Sequence, residues 1–312
     1  MDNLLKSAVK FYQNRQFNKA ENICLKILEL DPNNFDSTNL LAAICYQNKN
    51  YRKSIELFKK AIEINSGRFD IYNNLSIALL QENKLQEAIQ SWDQAIRLNP
   101  NFFEGYFGKG NAFTDLKDYS LAIYNFKKAI EIKPDYKQAY NNLASLYANL
   151  KDYDNAIKIL KKAINIEPVH FNEYNNLGNI YYEFYEFNKA IENYNLALKI
   201  NPDFSLIYYN KAKALHKINL KQEAIFNYDK AISINKNFAE AYKNLGNLYL
   251  DLKTLEKSIY NHELALKINP KIKYLSGTIL QPKCGLCDWR NFKKEKEILK
   301  YDILNGKKSA SP

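Results

Sequence analysis

The chain has 312 residues, of which 46% are hydrophobic and 14% aromatic, with only 9 glycines and 8 prolines. That composition is too apolar for a disordered chain and too poor in turn residues for a loop-rich or many-stranded fold. A net charge of +11 admits a nucleic-acid partner, four cysteines supply no disulfide framework, and no apolar run reaches the roughly 18–20 residues a bilayer requires. The opening "MDNLLKSAVK" has no basic segment leading into an apolar one, so it is not read as a secretory leader. The cysteine usage suits a reducing, cytoplasmic setting.

From the first residue to about 270 the sequence repeats with a period of 34 and no slip. The frames end in chain order at Pro32, Ser66, Pro100, Pro134, Pro168, Pro202, Lys236 and Pro270. Within them runs a column of small residues: Ala8, Ala42, Ser76, Gly110, Ala144, Gly178, Ala212 and Gly246. A second small column follows at Ala20, Ser54, Ala88, Ala122, Ala156, Ala190, Ala224 and Ser258. Next comes a mostly bulky column: Cys24, Phe58, Trp92, Phe126, Leu160, Tyr194, Tyr228 and His262. A third small column, Ile27 in the first frame, is alanine from Ala61 to Ala265.

In each frame apolar residues recur at three- and four-residue steps in two runs, which predicts two short helices. Neither is long enough to be stable alone, so each pair must pack as an antiparallel hairpin. Small residues let two helix axes approach, and large ones fill the holes beside them. The proline ends the second helix, and the next frame begins three or four residues later. Acidic residues there (Asp36, Asp70, Glu104, Glu240) suit the positive end of a helix dipole.

After Pro270 a ninth frame opens at "KIKYLSGTIL", keeping its aromatic at Tyr274, and Pro282 predicts its break. The reading is therefore eight repeats over 1–270, a capping half-repeat helix over 271–282, and a junction over 283–312. The junction carries "CGLCDW" and an amphipathic helix on Trp289, Phe292, Leu299 and Ile303. Cys284 and Cys287 supply only two metal ligands and lack the strand–turn–helix context of a redox pair, so no metal and no cofactor is expected.

The lysines of "KKAI" at 59–62, 127–130 and 161–164 fall on second helices and alternate with acids such as Glu56, Glu63 and Glu131. That is a solvated face rather than the concentrated basic stripe of a nucleic-acid binder. The first helices differ. Two residues before the first small column stand Asn74, Asn142, Asn176, Asn210 and Asn244, and one residue after it Asn111, Asn179 and Asn247. An asparagine amide both donates and accepts, so a ladder of them can hold an extended peptide by its backbone. The competing reading is that asparagine is abundant throughout and that any groove needs polar lining.

The columns resemble the tetratricopeptide repeat. The resemblance implies a right-handed superhelical solenoid of antiparallel helix pairs, first helices lining the concave face. Members that clamp acidic C-terminal tails use paired lysines and an arginine there; only Lys243 with Asn247 echoes that pattern, so such a clamp is not expected. The array followed by "CDW" resembles the N-terminal region of O-GlcNAc-transferase-like proteins, which carry asparagines in the same slot. What that implies is a non-catalytic, substrate-recruiting module that binds an extended polypeptide, with glycosyl transfer belonging to a domain this sequence does not contain. His170, His216 and His262 are scattered over three frames and form no catalytic set. The alternative is a general assembly scaffold that joins partners through its convex or terminal surfaces.

Overall fold

The computed structural model describes residues 2–272, 275–286 and Lys300. Tyr274, Cys287, Trp289 and the amphipathic pattern that follows lie outside the described residues. Those that are described contain helices and turns with no strand, in two compact units, Met1–Leu150 and Lys151–Pro312.

The first unit holds α1 (Asp2–Gln13), α2 (Phe17–Leu30), α3 (Phe35–Gln47), α4 (Tyr51–Ile64), α5 (Phe69–Gln81), α6 (Leu85–Leu98), α7 (Phe103–Asp115), α8 (Tyr119–Ile132) and α9 (Lys137–Asn149). Helices pack in sequence order, with α1 on α2, α3 on α4, α5 on α6 and α7 on α8. First helices also touch one another, α1 with α3, α3 with α5 and α7 with α9, so they form a layer of their own.

The second unit holds α10 (Tyr153–Ile164), α11 (Phe171–Glu183), α12 (Phe187–Ile200), α13 (Ser205–Lys217), α14 (Lys221–Ile234), α15 (Ala239–Asp251), α16 (Leu255–Ile268) and α17 (Leu275–Gly285). Its hairpins are α11 on α12, α13 on α14 and α15 on α16, with α17 packed on α16. Here too the first helices meet, α11 with α13 and α13 with α15.

The columns explain the hairpins. Every alanine and serine of the first two small columns within 8–258 that faces a partner helix is sealed from solvent, as at Ala8, Ala20, Ser54 and Ala190. At two of the three serines in these columns the hydroxyl is satisfied across the hairpin: Ser54 Oγ donates to the Ala42 carbonyl at 2.9 Å, and Ser76 Oγ to that of Ala88 at 3.0 Å. Where glycine takes the column, the reason is the ring opposite. A Cβ on Gly110 would stand 2.6 Å from the Phe126 ring, and one on Gly178 2.6 Å from that of Tyr194.

Second helices stop two residues before each proline, at Leu30, Leu98, Ile132 and Ile200; α10 stops earlier, at Ile164. Asparagines at the exits fold the chain into the next frame, since Asn65, Asn99, Asn201, Asn235 and Asn269 each accept the amide two residues on. Inside each frame the turn between helices passes through one left-handed residue: Arg15, Lys49, Asn83, Lys117, Lys151, Tyr185, Asn219 and Lys253, again 34 apart.

One boundary differs from the sequence expectation. Helix α17 runs to Gly285, through Pro282 rather than stopping before it. The ring is buried, and the proline forfeits the hydrogen bond to the carbonyl four residues back. Lys283 in the same helix is buried and paired with Glu263 at 2.9 Å.

Candidate functional site

The structure divides the chain's asparagines by position. Those at the hairpin exits are turn residues. Those on the second helices, Asn125, Asn193, Asn227 and Asn261, are buried and donate to the carbonyl four residues back, at 2.7–2.8 Å. The asparagines of the two first-helix columns are half-buried and sit in the layer where those helices meet. Sequence reasoning treated asparagine abundance as one background; position in the hairpin resolves it into three roles.

On that layer the two columns interlock. Asn142 Nδ2 donates to Asn111 Oδ1 at 2.7 Å in the first unit, and Asn210 Nδ2 to Asn179 Oδ1 at 3.0 Å in the second. Each bond joins one repeat to the preceding one across 31 positions. Asn142 and Asn210 keep a carbonyl oxygen and a second N–H, which is the pair a peptide unit needs. Asn111 and Asn179 act as the anchors.

Polar tips of the bulky column on the second helices reach amides of the first helices from behind, among them the anchor Asn179. Tyr194 is buried and its hydroxyl donates to Asn179 Oδ1 at 2.9 Å. Burial pushes the Tyr194 phenol far above its usual range, so it remains a donor. Trp92 Nε1 donates to Asn73 Oδ1 at 3.0 Å. His262 Nε2 lies 3.0 Å from Asn247 Oδ1. Burial first, then the positive charge of Lys243, lowers the His262 pKa to about 4, so the ring is neutral at pH 7. The aromatic tips thus reach through the hairpin and orient amides on its other side, a link that column spacing alone did not reveal.

Two predicted rungs have other surroundings. Asn74 lines a cavity of about 170 Å³ with Tyr12, Tyr46 and Gln47, and the slot 31 residues before it is Ala43, which has no amide to offer. Asn244 finds Lys213 in that slot and donates instead to the Tyr209 hydroxyl at 3.0 Å. Asn176 is half-buried on α11.

Elsewhere the surface matches the solvated reading. Lys59, Lys60, Lys127, Lys161 and Lys162 are exposed, and acids lie among them, as in Lys59–Glu87 at 3.4 Å and Lys128–Glu131 at 2.8 Å. Exposed pairs of this kind contribute at most about 1 kcal/mol each. Cys24 and Cys45 are free, buried thiols, both raised in pKa mainly by burial, and so unreactive. Among the described residues no group of three or more His, Cys, Asp or Glu could hold a metal. Among the same residues no helix is long and apolar enough to cross a membrane.

Comparison with known proteins agrees with this geometry. Residues 78–116, 110–151, 186–219 and 222–253 match the TPR repeat family, and residues 137–170 match a second tetratricopeptide-repeat family. Residues 13–95 match the family of anaphase-promoting complex, cyclosome, subunit 3. No curated protein matches the chain. Among solved structures, the C-terminal part of a TPR repeat-containing protein from Cytophaga hutchinsonii is 20% identical with a TM-score of 0.62, covering 75% of this chain and 96% of that one. A tetratricopeptide repeat protein from Parabacteroides merdae is 17% identical with a TM-score of 0.58, covering 80% and 98%. Cut9–Hcn1, a hetero-tetramer of the anaphase-promoting complex, gives 20% identity and a TM-score of 0.56 over 89% of this chain and 55% of that one. These likenesses establish the fold. With hairpins in phase and repeat signatures spanning just over half its length, the chain belongs to the tetratricopeptide-repeat proteins.

Proposed function

We propose that the asparagine face of the first helices binds a partner polypeptide in extended form, holding it by its backbone. The observation that carries this is the interlock: Asn142 and Asn210 are each fixed by one hydrogen bond to the preceding repeat and still present an acceptor and a donor. Repeating such rungs gives affinity with little dependence on side chains. Asn74 in the first unit, and Asn176 and Asn244 in the second, occupy the same slot of their own repeats, with Asn111, Asn179 and Asn247 as supports. The fold is that of a protein–protein interaction scaffold, with no catalytic role assigned to any residue of this chain.

The asparagine slot also carries the likeness to the recruiting arrays of O-GlcNAc-transferase-like proteins. On that reading the chain delivers protein substrate, in the cytoplasm, to a sugar-transfer module carried on the same polypeptide. The genomic reading frame past the Pro312 codon tests this part: a two-lobed nucleotide-binding domain there supports it, and an immediate stop codon removes it.

The test of the groove itself is a combined Asn142→Ala, Asn176→Ala and Asn210→Ala variant, assayed by fluorescence anisotropy against a peptide selected on the wild-type chain. Each lost hydrogen bond is worth about 0.5–1.5 kcal/mol, so affinity should fall at least tenfold while the helical circular-dichroism signal holds. Unchanged affinity sinks the ladder. If charge reversal at Lys127, Lys128, Lys161 and Lys162 weakens partner binding instead, the working surface is the outer helices.

A further inference from the structure

The row of amides is interrupted once in the second unit, and the interruption is a cation. At the slot that holds Asn179 one repeat earlier and Asn247 one repeat later, α13 carries Lys213. Lys213 lines a cavity of about 140 Å³ with Tyr182, His216, Lys217, Asn244 and Asn247. Its amine lies 4.5 Å from the centre of the Tyr182 ring and 5.7 Å from that of Tyr209. It makes no ion pair among the described residues. Burial lowers its pKa, Glu183 nearby partly offsets that, and Lys217 adds to it. On the same helix, His216 lies 3.0 Å from the carboxylate of Asp251.

The polar groups around this cavity point the same way. Asn247 accepts at its oxygen from His262, so its N–H groups are what it has left to offer. Asn244 donates to Tyr209, and its amide also interacts with the Tyr228 hydroxyl, which holds it at the cavity wall. Lys217 adds a second ammonium at the rim. Donors from two repeats therefore converge on this space, and Glu183 is the acid that acts on Lys213. Glu183 compensates the Lys213 ammonium only in part, and an anionic oxygen group entering the cavity can accept from that ammonium and from the Asn247 amide together, which a neutral peptide unit does less well.

We infer that Lys213, with Asn244 and Asn247, forms a subsite for an anionic side chain of the bound polypeptide, so that the partner is an extended peptide with one acidic residue at a fixed position. This rests on the peptide-binding reading of the asparagine face. It differs from the paired-lysine clamp for acidic C-terminal tails, because it centres on Lys213 rather than on Lys243, and it takes an internal side chain rather than a chain terminus.

The experiment is a random-peptide display selection on the full chain, run in parallel on wild type, Lys213→Asn, which restores the ladder's own residue, and Lys213→Met, which keeps the length of the side chain. Selected peptides are then resynthesised with Glu, Gln or phosphoserine at the enriched position and titrated by fluorescence anisotropy. Wild type should enrich an acidic residue at one position, and replacing it by Gln should weaken binding about tenfold. Both variants should bind the Glu and Gln peptides equally. A preference for Glu or for phosphoserine over Gln supports the subsite and tells carboxylate from phosphate. Peptides recovered without acidic enrichment, or an acid preference that survives in both variants, overturn the Lys213 assignment and leave the asparagine face standing. Recovery of no peptide by any of the three overturns both.

Discussion

As the pH falls from 6.5 to 4, the α15–α16 hairpin should lose about 3 kcal/mol of stability through His262 alone. The imidazole is sealed from solvent, and its pKa is depressed to about 4 against an unfolded value near 6.5. Because the unfolded chain binds the proton more readily, the stability contributed is fully present above pH 6.5. It disappears as the pH approaches 4, since every tenfold difference in proton affinity between the two states is worth about 1.4 kcal/mol. The cause is local: Gly246 leaves only enough room for the ring, and Asn247 and Ser258 are its polar neighbours. His262→Tyr isolates the effect, since Tyr194 occupies the same column opposite Gly178 and meets Asn179 as His262 meets Asn247. Hydrogen exchange of the α15 and α16 amides at pH 7 and pH 4.5 is the readout. The drop in protection should be pronounced in wild type and much smaller in the tyrosine variant. Equal drops in the two proteins would refute the assignment to His262.

The second large effect concerns Tyr194, which joins the packed core of one hairpin to the asparagine face. Tyr194→Ala removes a fully buried ring and leaves a cavity opposite Gly178, at a cost of about 3–5 kcal/mol. In an array where each repeat leans on its neighbours, that loss should uncouple α11 and α12 and produce a separate early phase in thermal denaturation. Tyr194→Phe keeps the ring and removes only the donor to Asn179, so it should cost about 1 kcal/mol. Its value lies in the comparison. If the hydroxyl orients Asn179, and Asn179 orients Asn210, the phenylalanine variant should bind a selected peptide severalfold more weakly with its melting curve nearly intact. A phenylalanine variant with full peptide affinity would show that this chain of hydrogen bonds ends inside the protein.

What could be read from the sequence, and what could not, follows from the physics of each feature. Helix pairing was legible because close approach of two helices demands small residues, and 34-residue spacing puts Ala, Ser and Gly where only they fit. Helix ends were legible wherever a proline or an Asx residue forces them. The end of α17 was not, because the helix continues three residues past the proline that was expected to break it. The asparagine columns could be listed but not sorted: Asn193 and Asn210 differ in nothing but the helix they sit on, yet one donates to its own helix and the other to a neighbouring repeat. The Tyr194, Trp92 and His262 contacts were invisible for a similar reason. A bulky column reads as core packing, and only geometry shows that its polar tips emerge on the far side. Lys213 stood in the sequence as an exception to a column, and its meaning came from the donors gathered around it.

The eight left-handed turn residues carry one more consequence. At these joints the conformation is imposed by the helices on either side, and the side chain has no part in making it, for arginine, lysine, asparagine and tyrosine all occupy it. An L-residue in that region costs about 1–2 kcal/mol relative to the right-handed one, less for Asn83 and Asn219 than for the arginine, lysines and tyrosine. The joints are therefore places where sequence can drift without touching the architecture, and Tyr185, with 81% of its surface open to solvent, shows how far the drift has gone. When such an array is copied frame by frame, its interior keeps the fold constant while its corners are left to explore new chemistry, so that individuality accumulates at the joints.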